Sequence, residues 1–300
     1  MRKKDIIGII LLIMAGILTG GHLAKQSGKG EKVTMAGSVA METFAEAITE
    51  QAEKIGVETK AEYIGSSAGI EALLKGKTQI ALVSRNLTEE EKRQGVKEYI
   101  AAYDGIVVIV NKENPITNLS ITQLKEIFTG KKTNWNEFGE LDEPIVVIGR
   151  ECGSGTRDSF ERLLGIEGKT RYCNECDSIG VVKVKVGLIK GAIGYVSLEA
   201  VKDRVQKTKE ENVNIEGKKD FFESQSDLVK TICVENVKPS IKSYVAGEYF
   251  LVRPFILATR GEWNKQSEEV KKIYYLLESK EGDIIFERAG IAAASKKRAS

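Results

Sequence analysis

Histidine is nearly missing from this sequence: His22 is the only one among 300 residues. That scarcity removes nucleophilic triads built on an imidazole base, and most zinc sites with them. Proline is also scarce, at 4 residues against 29 glycines, which argues against a disordered or fibrous chain. An excess of either charge is lacking too. Lys and Arg total 45, Asp and Glu 43, and the formal net charge is +2. A strongly basic nucleic-acid binder is thereby excluded on bulk electrostatics. No Walker A loop is present, and no G-x-G-x-x-G is complete.

What is present suits a folded chain of about two domains. Hydrophobic residues make up 42% and charged residues 29%, enough apolar material for real cores. The first 24 residues stand apart. Arg2, Lys3 and Lys4 precede an apolar run over residues 6–18, the pattern of an export signal. The run is shorter than the roughly 20 residues that span a bilayer comfortably. Small residues around 19–24 offer cleavage points without a clean A-x-A site, and no Cys follows to carry a lipid. The segment therefore reads as a cleaved signal peptide or a retained N-terminal anchor. Its charge is +2 and it holds His22, so the remainder is formally neutral and has no imidazole. Residues 25–32 read as a polar linker.

Apolar strands then alternate with amphipathic helices, which predicts an α/β fold with mainly parallel pairing. Three strand–turn–helix units share one design. A strand over 32–36 leads through Gly37-Ser38 to Met41, Phe44, Ala45 and Ile48 at helical spacing. A strand over 58–64 leads through Gly65-Ser66-Ser67 to Ile70, Leu73 and Leu74, closed by Gly76. A strand over 144–148 leads through a loop over 149–156 to Phe160, Leu163 and Leu164, closed by Gly165. Each unit sets small hydroxyl residues at a helix N-terminus, where unpaired N–H groups and the helix dipole favour an anion. For any one of them alone, ordinary N-capping is the better explanation. Three together, one with Arg150 in its loop, point to a shared anion site at the carboxyl ends of the strands.

These strings resemble the phosphate-binding protein of the bacterial phosphate ABC importer. The matching segments are Gly37-Ser38-Val39, Ile64-Gly65-Ser66-Ser67-Ala68-Gly69 and Arg150-Glu151-Cys152-Gly153-Ser154-Gly155-Thr156-Arg157. Asn114-Pro115, the string LKEIFTGKKTNW over 124–135, GAIGYVS over 191–197 and Val252-Arg253-Pro254 extend the match from about Val33 to Ala292. The resemblance implies an α/β, two-lobed type 2 periplasmic-binding-protein fold. Each lobe would be a mixed, mainly parallel sheet flanked by helices, and two crossover strands would join them. Residues 33–108 and 251–292 would form lobe one, 109–250 lobe two, and 293–300 a tail. The apolar run over 106–110 independently reads as a buried strand.

Carried over by motif, the phosphate donors fall on Ser38, the backbone of Val39, Ser66, Arg150, Ser154, Gly155 and Thr156. Arg150 would supply a planar fork suited to phosphate oxygens, a surface ion pair being its plainer role. The implied function is an exported, monomeric receptor that hands inorganic phosphate to a membrane ABC permease, on the extracytoplasmic face of the membrane, in the periplasm or at the cell surface. It would use no cofactor and no metal, bind no nucleic acid and catalyse nothing. A receptor for sulfate or molybdate, or a membrane-anchored phosphate sensor, is the alternative.

Three features depart from the pattern. Arg85 stands where the family commonly has an Asp that accepts the proton of phosphate, which leaves Glu151 and Glu42 as the nearby candidates for that role. Cys152 stands where an acidic residue is usual. The 202–233 segment is longer than the family's connection and is given no function. Gly65-Ser66-Ser67-Ala68-Gly69 formally matches a hydrolase nucleophile elbow, but no His is available as base. Cys173 and Cys176 resemble half a zinc site without its second half. For Cys152, Cys173, Cys176 and Cys233, export favours a disulfide over free thiols, and both over metal.

Overall fold

The structure is a computed structural model that describes residues 32–139, 141–201 and 228–294. The leader, nearly all of the linker, most of the 202–233 segment and most of the tail therefore lie outside the described residues. In the first stretch, β1 (Val33–Gly37), α1 (Glu42–Lys54), β2 (Thr59–Tyr63), α2 (Ser66–Leu74), β3 (Ile80–Val83) and α3 (Glu89–Arg93) lead into the long strand β4 (Val96–Asn111). There follow β5 (Asn118–Leu119), α4 (Ile121–Phe128), β6 (Val146–Arg150), α5 (Gly155–Leu164), β7 (Asn174–Cys176), α6 (Ile179–Leu188) and β8 (Ala192–Ser197). After the undescribed segment come β9 (Val229–Thr231), β10 (Cys233–Val234), α7 (Ile241–Val245), β11 (Val252–Arg260), α8 (Glu268–Glu278), α9 (Lys280–Ala289) and β12 (Ala292–Ala293).

The strands run β2-β1-β3-β11-β4-β8-β6-β7 across one mixed sheet. β1 pairs parallel with β2 and β3, and β6 parallel with β7 and β8. β11 and β4 are antiparallel to their neighbours and sit between these two parallel sets. β4 exchanges partners along its length: its first part, to Gly105, pairs with β11, and from Ile106 it pairs with β8.

Each half of the sheet has its own apolar core. One gathers β4 from Ile106 onward with β6, β8, Phe128, Trp135 and Phe160. The other has two clusters: β1, α1, α8 and α9 gather on Phe255 and Leu257 of β11, and Ile70, Leu73, Ala81, Val83 and Ile256 form the second. The first helix shows how the pattern works. Phe44, Ala45, Ile48 and Ala52 fall on one face of α1 and are all buried. Phe44 packs on the rings of Phe255 and Phe286, burial worth roughly 1.5–3 kcal/mol for a side chain of this kind.

One expected boundary moves. The third unit's strand was placed over 144–148, with Arg150 in the following loop; it runs Val146–Arg150 instead, so Arg150 ends the strand. Parallel pairing of Ile148, Gly149 and Arg150 with Asn174, Glu175 and Cys176 carries the ladder that far. Pro144 has no N–H to give and makes only an isolated bridge to Asn134.

Candidate anion-binding site

The turns after β1, β2, β3 and β6 meet at one place. Ser38 follows β1, Ser66 opens α2, Ser84 follows β3, and Thr156 lies in the first turn of α5. All four side chains are buried. The Ser38 and Ser84 hydroxyls are 2.7 Å apart, and Ser66 Oγ lies 3.5 Å from Ser84 Oγ while accepting the Ser84 N–H at 3.2 Å.

Two glycines permit this convergence. At Gly37, with φ +150°, a Cβ would lie 2.1 Å from the Leu82 carbonyl oxygen. Only glycine lets β1 close on β3 so that the Ser38 N–H reaches that same oxygen, at 2.8 Å. At Gly155 a Cβ would lie 2.2 Å from Ser66 Oγ and 2.5 Å from Ser84 Oγ. The N-terminus of α5 thus abuts the hydroxyl cluster of the other half.

Capping accounts for only one of the three serine turns. Ser38 Oγ accepts the Ala40 N–H at 3.2 Å. At α2 the N-cap is Gly65, which has no side chain to cap with, and at α5 the N-cap Ser154 makes no side-chain cap bond. The hydroxyls of Ser66 and Thr156 look into the cluster instead of serving their own helix ends.

One buried guanidinium, Arg253, meets the cluster, and a second, Arg150, lies close enough to act on its charge. Arg253, on β11, lies in register with Asp104 of β4. Its Nε and Nη2 donate to Asp104 Oδ2 at 3.0 and 2.8 Å, and Ser197 Oγ donates to the same oxygen at 2.9 Å. Arg253 Nη1 donates to Thr156 Oγ1 at 2.6 Å and to Ser84 Oγ at 3.4 Å. Arg150 Nε and Nη2 donate to the two carboxylate oxygens of Glu151 at 2.8 and 2.9 Å, and to the carbonyls of Cys176 and Asp177. The backbone of Arg150 is also held: its N–H donates to Tyr195 Oη at 3.4 Å, and its carbonyl accepts from Arg157 Nη1 at 3.0 Å. Burial pushes the Arg253 guanidinium below its usual value; Asp104 opposes this, and the nearby positive charge of Arg150 adds to the depression. Each guanidinium is thus paired with a carboxylate, Arg253 with Asp104 and Arg150 with Glu151.

The expected site residues are partly brought together. Ser38, Ser66 and Thr156 share the cluster, and Gly155 abuts it. Ser154 is buried at the start of α5, and Val39 opens a half-buried 3-10 turn beside Ser38. The fork of Arg150 engages Glu151 and two carbonyls. Of the other carboxylates considered, Glu42 is exposed at the start of α1. Ser84, Arg253, Asp104 and Ser197 were given no role in advance. In the sequence Val252-Arg253-Pro254 is only a matching string, and nothing local ties Arg253 to an aspartate 149 residues away.

Arg85 turns away from the hydroxyl cluster. It pairs with Glu91 and Asp158 and donates to Ser67 Oγ at 3.2 Å. The partner of the Ser67 hydroxyl is therefore a guanidinium, which cannot take up a proton. The elbow-like string has no activating base at that serine.

The expected disulfide is not formed: all four cysteines are free. Cys176 is buried at the end of β7, Cys233 is half-buried, and Cys152 and Cys173 are exposed. Burial pushes the Cys176 thiol up. Among the described residues no His, Cys, Asp and Glu cluster could hold a metal ion.

Comparison with known proteins matches residues 24–275 to a PBP superfamily domain. The phosphate-binding protein PstS of Borreliella burgdorferi is 27% identical over 297 residues, covering 96% of this chain and 98% of its own. A crystal structure from Clostridium perfringens, assigned as a phosphate ABC transporter substrate-binding protein and holding bound phosphate, is 31% identical. It superposes with a TM-score of 0.72 over 88% of this chain and 100% of that one. An ABC-type phosphate transport receptor from Vibrio cholerae gives 28% identity and a TM-score of 0.68 over the same shares.

Proposed function

This chain belongs to the PBP superfamily, and from that premise we propose that it captures inorganic phosphate between its two halves and delivers it to an ABC importer. The observation that carries the reading is the buried Arg253 guanidinium meeting the clustered hydroxyls of Ser38, Ser66, Ser84 and Thr156, with the buried Arg150 near enough to act on its charge. Hydroxyls and helix-end N–H groups bind a tetrahedral oxyanion from several sides, and the guanidiniums supply its countercharge. Ser38, Val39 and Ser66 serve from one lobe and Arg150, Ser154, Gly155 and Thr156 from the other, with Ser84 and Arg253 added to the set.

The lobes in this reading are residues 33–108 with 251–292, and residues 109–250. The partner exchange along β4 and the separate cores of the two halves support that division. The receptor acts as a monomer outside the cytoplasm, and the basic, apolar leader supports export. It performs no catalysis, in line with the guanidinium partner of Ser67. Sulfate and molybdate are disfavoured because the relatives from Borreliella burgdorferi and Vibrio cholerae are named for phosphate.

Small-angle scattering with and without phosphate tests the capture step. A smaller radius of gyration at saturating phosphate, unchanged by chloride, is the expected result. Identical profiles, with no phosphate retained on the protein, refute it.

A further inference from the structure

We infer that Arg85 is a positioning residue for this site: it fastens the first turn of α2 to the first turn of α5, so that the donors at both helix ends face one anion together. What those turns hold rests on the phosphate reading above; the fastening rests on geometry alone.

Arg85 directly follows Ser84 and is 4% exposed. Its Nη2 donates to Ser67 Oγ in the first turn of α2 at 3.2 Å, and its Nε donates to Asp158 Oδ2 in the first turn of α5 at 3.0 Å. Nη1 and Nη2 grip Glu91 of α3 at 2.9 and 2.7 Å, and Nη1 also reaches the Asn86 carbonyl at 3.1 Å. A guanidinium has five N–H donors, and these five bonds account for them. Nothing remains for an anion, so this arginine does not serve as a ligand.

The two sides of the grip differ. Glu91 is held firmly: its carboxylate also accepts the Thr88 N–H at 2.8 Å within a capping box. It anchors Arg85 to its own half. Asp158 comes from the other half and its side chain is 34% exposed, so it is the contact that parting of the turns would break. Two more bonds cross beside it. The Ser67 N–H donates to the Gly153 carbonyl at 3.3 Å, and Ser159 Oγ donates to the Ser84 carbonyl at 3.0 Å. Ser67 and Asp158 adjoin or nearly adjoin Ser66 and Thr156, so a grip on the former pair sets the spacing of the latter. Burial lowers the affinity of Arg85 for its proton, but the two carboxylates outweigh it and the net shift is upward, which keeps the clamp charged.

The test is Asp158→Ala in the full chain, with Arg85→Met as a companion. The first readout is hydrogen exchange of the Ser67 amide without ligand; the second is the rate of phosphate release in stopped flow. In Asp158→Ala the Ser67 amide should exchange about tenfold faster, and phosphate should leave about tenfold faster with association within about twofold. Arg85→Met should show both effects, and the double variant should lose no more than Arg85→Met alone. Arg85→Met leaves Glu91 without its cation and can fail to fold; Asp158→Ala then decides. Ser67 exchange at the wild-type rate in Asp158→Ala overturns the inference. Faster exchange with unchanged release overturns it as well. If the wild-type protein binds no phosphate, the functional reading fails, while Ser67 exchange still decides whether Arg85 fastens the turns.

Discussion

Arg253 and Asp104 face each other across the β11–β4 pair, and two guanidinium nitrogens of Arg253 bond to the single oxygen Oδ2 of Asp104. Both residues are almost wholly buried. The aspartate fixes the plane of the guanidinium, so that Nη1 is left to meet Thr156 and Ser84. An arginine from the strand between the two parallel sets therefore reaches a hydroxyl on each half.

Arg253→Met should cost both stability and binding. Removing one member of a buried ion pair leaves the other charge unpaired, at a cost of about 3–5 kcal/mol. Urea unfolding should show that loss, and Arg253→Met with Asp104→Asn should recover part of it. Phosphate affinity should stay low in both, because the guanidinium is gone from the cluster.

Gly155→Ala should bind phosphate at least about a hundredfold more weakly, the effect of a displaced first turn and not of a lost charge. The added methyl would stand 2.2 Å from Ser66 Oγ, so α5 must shift away from the hydroxyls. Circular dichroism should show an intact helix, since alanine favours helix over glycine. Unaltered affinity measured by calorimetry would mean that the anion sits elsewhere.

Phosphate affinity should persist above neutral pH. Sharp loss there would require a carboxylate that accepts a hydrogen bond from the ligand's P–OH. Arg85 occupies the expected place of such a group and faces Glu91 and Asp158 instead. Asp104 Oδ2 takes three donors, and both oxygens of Glu151 take Arg150. A titration of affinity from pH 5 to 9 checks this, and a steep fall between pH 7 and 8 would show a proton acceptor in the site.

Acid should weaken the fold partly through Glu91. Burial pushes its carboxyl up, but the hydrogen bonds from Arg85 and Thr88 pull it down further, and the net shift is downward. Its folded value therefore lies below its unfolded value, near 4.3. The stability it contributes is complete above that value and is lost as pH falls through the folded one. Melting temperatures measured from pH 7 to pH 3 should drop less steeply over the acid limb in Glu91→Gln, from a lower starting point.

The helix-end serines were legible because a short motif dictates them. Glycine beside serine after an apolar strand fixes a turn, and Ser38, Ser66 and Thr156 lie where those turns meet. The run over 106–110 was legible as a buried strand because every side chain in it is apolar. Arg253 and Asp104 were not legible, since their pairing depends on the register of two strands far apart in sequence. The direction of Arg85 was equally hidden: Glu91 lies within six residues, but Asp158 reaches it only through the packing of α5 against the other half. The end of β6 was misplaced because its last residues extend by pairing with β7, a strand of three residues with no strong pattern of its own.

Calorimetric titration with phosphate, sulfate and molybdate decides whether this chain is a phosphate receptor. One phosphate should bind per chain, more tightly than either other anion, and Arg150→Ala should weaken binding at least about tenfold through loss of a charge-assisted contact. No heat with phosphate, or sulfate bound as tightly as phosphate, would contradict it.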